Sequence, residues 1–81
     1  MTDIKKQCLE IGRIIEFHRG KSGLTQAEAA KLAGIGKTSV YDIEHGKTTV
    51  QLDTLLKLLL ILNIRVNYDG PLMQAYKAGK K

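Results

Sequence analysis

Two helix-forming stretches meet at Ala33-Gly34-Ile35, and the stop between them limits the fold of this 81-residue chain more than any other feature. Thr25 stands three residues before Glu28. That is the capping-box spacing, in which a threonine hydroxyl and a glutamate carboxylate each satisfy a free backbone N–H, so a helix opens there. The segment QAEAAKLA, residues 26 to 33, runs on without a breaker to Gly34, and glycine tolerates the left-handed conformation that ends helices. A further helix is predicted over 36 to 44, closed by His45-Gly46. Ile35, Val40 and Ile43 fall on its inner side, and Lys37, Thr38, Tyr41 and Asp42 on its outer side. With small Ala30 where the two helices approach, the pair describes a helix-turn-helix.

Gly36-Lys37-Thr38 also matches the end of a phosphate-binding loop, which requires G-x-x-x-x-G-K-[ST] after a buried strand. Five residues before Gly36 stands Lys31, and the preceding segment is helical in character. The aliphatic run at 58 to 62 ends in Asn63, where a metal-binding partner strand would end in aspartate. The lysine instead opens the second helix of the pair, the place whose first residues meet base edges in the major groove.

Outside this motif, Ile4, Cys8, Ile11 and Ile15 recur at helical spacing up to about His18, with Leu9, Ile14 and Phe17 widening the stripe. A fourth helix is expected from Leu52 to Leu62, and its apolar face overflows what a monomer's surface helix buries. Ile64, Val66 and Tyr68 then alternate with Arg65 and Asn67 until Asp69-Gly70-Pro71 breaks the pattern, which predicts one short strand over 63 to 68. A lone strand leaves its backbone unpaired, so a second copy is expected to supply the partner. Leu59, Leu62, Ile64, Val66 and Tyr68 are the expected dimer interface. The organisation predicted is an all-α domain over 1–62, a dimerising strand over 63–70 and a basic, flexible tail over 71–81.

A chain of this length buries only about 60% of its unfolded surface, which again favours association. One cysteine, Cys8, and the lack of an apolar leader fit a reducing cytoplasm, and the aliphatic run is too short to span a bilayer. The net charge of +5 permits nucleic-acid binding, but residues 22–48 carry three basic and three acidic side chains. A DNA argument therefore rests on named residues. His18 and His45 stand far apart with no acid or cysteine at ligand spacing, and no nucleophile has a base, so neither metal, cofactor nor enzyme activity is expected.

GLTQAEAAKLAGIGKTSVYDIEHGK resembles the Cro/repressor-type helix-turn-helix family through its Leu-Thr-Gln opening, its Ala-Gly turn and its closing Glu-x-Gly-Lys. The resemblance implies a lambda-repressor-like bundle of four to five helices. It implies Gln26 as a phosphate clamp, Lys37, Thr38 and Tyr41 as base readers, and Ser39, Lys47 and Thr48 near the DNA backbone. Thr25, Gly36, Asp42 and His45 complete the DNA-facing set, His45 as a phosphate neighbour, and Arg19 with Glu44 is implied as a structural ion pair. Gly36 removes a side chain that relatives often use, and Asp42 brings a negative charge where many carry an amide or a base. Running the fourth helix directly into a strand is similar to the HipB-like antitoxins. That similarity implies a homodimeric repressor of its own operon, bound to an inverted repeat and to a kinase-fold toxin. The alternative is a stand-alone or phage-type repressor.

Overall fold

The computed structural model describes residues 3–79, which form five helices. They are α1 (Asp3–Lys21), α2 (Gln26–Ala33), α3 (Lys37–Glu44), α4 (Leu52–Ile61) and α5 (Met73–Gly79). The motif helices lie where the sequence places them. Thr25 caps α2 by accepting the Glu28 N–H, and the Glu28 carboxylate accepts the Thr25 N–H in return. Gly34 closes α2 at φ 72°, with Ile35 N–H reaching Ala30 O at 3.0 Å and Gly34 N–H reaching Lys31 O at 3.2 Å. These two bonds satisfy carbonyls that the helix end leaves free. Helix α1 runs one turn beyond the expected His18, to Lys21.

The core gathers one or two residues from each of the first four helices, Ile15, Ala29, Ala30, Val40, Ile43, Leu58 and Leu59, together with Leu62, which caps α4. Ile35 packs against this cluster from the turn, in keeping with its expected inward side. Gly12 decides how closely α1 crosses the end of α3. A Cβ built on it would stand 2.5 Å from the Ile43 carbonyl oxygen and 2.6 Å from that of Glu44, so only a residue without one fits.

The region after α4 departs from expectation in three ways. Asn63 does not begin a strand: it is the left-handed residue that stops α4, at φ 58°, with Asn63 N–H on Leu60 O and Ile64 N–H on Leu59 O. Asparagine takes this conformation more readily than other residues bearing a side chain. From Ile64 to Gly70 the described chain has no regular secondary structure. A strand exists only by its hydrogen-bonded ladder, and the single chain offers residues 64–68 no neighbour to pair with. The stretch expected as a flexible tail forms α5 over Met73–Gly79, none of whose residues is buried; Lys80 and Lys81 lie outside the described residues.

Among the expected interface residues, Leu62 and Leu59 are core residues of their own chain, 6% and 8% exposed. The apolar side chains left uncovered on α4 are Leu52, Leu56 and Leu60. Ile11 and Ile14 of α1, Leu52, Leu55 and Leu56 of α4, and Ile64, Val66 and Tyr68 beyond it line one groove of about 380 Å³. No helix among the described residues is long and apolar enough to cross a membrane.

Candidate nucleic-acid interface

Helix α3 divides cleanly. Val40, Ile43 and Glu44 are buried, while Lys37, Thr38, Tyr41 and His45 stand exposed one turn apart on the other side. Lys37, Thr38 and Tyr41 share a concavity of about 270 Å³ with Gln26 from the start of α2. The structure therefore brings the three expected base readers and the expected phosphate clamp into one place. Donors and acceptors of several kinds meet there: an ammonium, a hydroxyl, a phenol and a carboxamide. Gly36 precedes α3 as an exposed cap residue without a side-chain hydrogen bond.

The other expected residues separate from this cluster. Asp42 is half-buried and paired with Lys47 at 3.4 Å, so its charge is partly answered within the chain. Together with Ser39 they border a second hollow, beside Thr49, Gln51 and Thr54. Thr48 faces a third depression among Cys8, Ile11, Ile43 and Val50. The Thr25 hydroxyl oxygen is engaged in capping α2, although its residue is exposed. His45 stacks on Tyr41, with ring centroids 3.8 Å apart and planes 22° from parallel. Among the described residues no group of acidic, histidine or cysteine side chains is arranged to hold a metal ion.

Beneath the exposed face lies the carboxylate of Glu44, whose side chain is 1% exposed. Arg19 grips it twice, Nε to Oε2 at 2.5 Å and Nη2 to Oε1 at 3.0 Å, and places Nη1 on the Leu24 carbonyl at 2.9 Å. The hydrogen bonds to Glu44, together with the negative charges of Glu44 and Glu16, raise the Arg19 pKa above its ordinary value against the opposing effect of burial. Gln26 Nε2 donates to Glu44 Oε1 at 3.0 Å. One amide hydrogen of Gln26 is thus held inside the protein, and a clamp on phosphate would use the other. The ion pair was implied by resemblance; the Gln26 bond was not, and no local spacing signals it, since its ends lie 18 residues apart.

Comparison with known proteins agrees with this geometry. A helix-turn-helix family profile matches residues 15–68. The HTH-type transcriptional regulator y4mF of Sinorhizobium fredii is 32% identical over 66 residues, spanning 82% of this chain and 87% of that one. The ImmF control region 10 kDa protein of Bacillus phage phi105 is 33% identical over 67 residues, 83% of this chain and 70% of the other. The HTH-type transcriptional regulator ImmR of Bacillus subtilis is 33% identical over 60 residues, 74% of this chain but 47% of its own length. Capped α2, the left-handed turn at Gly34, the exposed face of α3 and these matches together assign the chain to the Cro/repressor-type helix-turn-helix family.

Proposed function

We propose that the chain is a sequence-specific, double-stranded-DNA-binding transcriptional repressor of the cytoplasm that acts by binding and not by catalysis. The observation that carries this reading is the shared concavity of Gln26, Lys37, Thr38 and Tyr41 on the exposed side of α3. Lys37→Ala and Tyr41→Ala are each expected to lose about 1–3 kcal/mol of binding to a selected duplex, with the melting temperature unchanged. Gln26→Ala is expected to weaken selected and random duplexes alike, because a phosphate contact carries no sequence information. It should also lower the melting point slightly, through the lost bond to Glu44. Gel-shift titrations on both duplexes check this, and equal losses from all three variants on random DNA would refute the assignment.

The repressor is proposed to be a two-fold dimer with its α3 helices about 34–36 Å apart on an inverted repeat. The apolar groove between α1, α4 and residues 64–68 supports this, since a monomer seldom leaves so continuous an apolar surface open. Pairing of residues 64–68 with their copy is part of this proposal, so replacing Val66 with proline removes a donor from that ladder and is expected to weaken self-association. Sedimentation that finds the unaltered chain monomeric at micromolar concentration would end the proposal.

Two finer readings remain within this function. The similarity to a control-region protein of Bacillus phage phi105 favours a stand-alone, phage-type repressor. The antitoxin reading, with a kinase-fold toxin as partner, rests on the sequence resemblance of Leu55 to Gly70 alone, since the strand in that resemblance does not form in the single chain. Co-expression with a kinase-like protein from the neighbouring reading frame separates them. A stable complex with tighter operator binding selects the antitoxin, and an unchanged affinity the stand-alone form.

A further inference from the structure

We propose that His45 is a positioning residue that sets the sequence preference of Tyr41; this rests on the DNA-binding reading above. His45 follows α3 as its capping residue, one turn after Tyr41. Its ring lies against the Tyr41 ring at 3.8 Å and 22°, and its Nδ1 stands 2.8 Å from the Tyr41 carbonyl oxygen. A carbonyl can only accept, so in this contact Nδ1 carries the hydrogen and donates. The backbone N–H of His45 bonds the same carbonyl at 3.0 Å. The imidazole is thus fixed at two points on the residue it braces: by its nitrogen to the backbone and by its face to the ring.

The consequence falls on Tyr41, which is 50% exposed and borders the concavity with Lys37, Thr38 and Gln26. An exposed ring without support has to be ordered when a ligand binds, and that ordering subtracts from affinity. With one face of the phenol covered by imidazole, Tyr41 meets a base pair through its edge, its hydroxyl and its remaining face. His45 thereby restricts which contacts Tyr41 makes while making none itself. The brace is proposed in place of the phosphate-neighbour role expected of His45.

The test begins by selecting a preferred duplex from a random-sequence library with the full chain, then compares His45→Ala, His45→Phe, Tyr41→Ala and the double variant. His45→Ala is expected to lower the preference for the selected base roughly three- to tenfold, at the same base-pair position that Tyr41→Ala relaxes. Binding to random DNA and the melting curve should stay as in the parent. His45→Phe keeps a ring to stack without the polar nitrogens and should restore most of the preference; the double variant should be no worse than Tyr41→Ala alone. Equal loss on selected and random duplexes, unrescued by phenylalanine, would overturn the proposal in favour of a backbone contact. No change in preference from His45→Ala would overturn it outright. A parent chain that selects no duplex at all would remove the DNA-binding reading, and the brace with it.

Discussion

Glu44→Ala is expected to destabilise the domain by about 3–5 kcal/mol, the range found when one member of a buried charge pair is deleted. The Glu44 side chain is 1% exposed and receives two hydrogen bonds from Arg19 and one from Gln26. Its removal leaves the guanidinium with the half-buried Leu24 carbonyl as its remaining acceptor and releases the Gln26 amide. Arg19 has no escape by losing its proton. Its folded pKa is raised above its unfolded value, so the stability it contributes is fully present below the unfolded value and is lost only as pH rises through the folded one. That window lies far above neutral pH, so the loss from Glu44→Ala should not vary with Arg19 ionisation near neutrality. Small domains hold only about 5–15 kcal/mol in total, so the variant should be partly unfolded at 37 °C. Urea denaturation followed by circular dichroism measures this directly. A midpoint equal to the parent's would show that the pair contributes nothing.

Gly12→Ala is expected to cost about 3 kcal/mol, toward the upper end of what overpacking produces. Alanine in mid-helix would ordinarily gain about 1 kcal/mol over glycine. Here the added methyl meets the Ile43 and Glu44 carbonyl oxygens at 2.5 and 2.6 Å, and backbone cannot turn aside as a side chain can. Helix α1 must lift from α3, which also loosens Arg19 from Glu44. Gly20 provides the control in the same helix, with nothing within 4 Å of an added Cβ. Gly20→Ala should be neutral or raise stability by up to about 1 kcal/mol. Equal melting temperatures for Gly12→Ala and the parent would mean that the two helices separate at no cost.

Much of this architecture was legible because it is written locally. The Thr25–Glu28 box, Gly34 and the alternating faces of α3 are each settled within a turn or two of chain, and the structure reproduces them. What the sequence hid is of three kinds. The Gly12 crossing and the Gln26–Glu44 bond join segments distant in sequence, and nothing beside either residue announces its partner. Asn63 misled for a different reason: the alternation of Ile64, Val66 and Tyr68 reads as a strand, yet a left-handed asparagine gives no periodic signal. The excess leucine of α4 was visible, but which leucines face inward was not. Leu58, Leu59 and Leu62 fill the chain's own core, and Leu52, Leu56 and Leu60 remain outside it. The Tyr41–His45 stack was readable in principle from two aromatic rings four residues apart on one helix face.

The division of α3 into two faces bears on how such a protein diversifies. Val40 and Ile43 hold the fold and touch nothing outside it, whereas Lys37, Thr38 and Tyr41 face outward and contribute nothing to the core. On the proposed DNA-binding reading, substitutions at the three outward positions are expected to alter target preference at little thermodynamic cost, so a lineage could drift among operators without passing through unfolded intermediates. Gln26 is the exception, because its amide serves both surfaces: it borders the outward concavity and bonds the buried carboxylate. A change there shifts affinity and folding together, which makes it the position where new specificity is hardest to acquire.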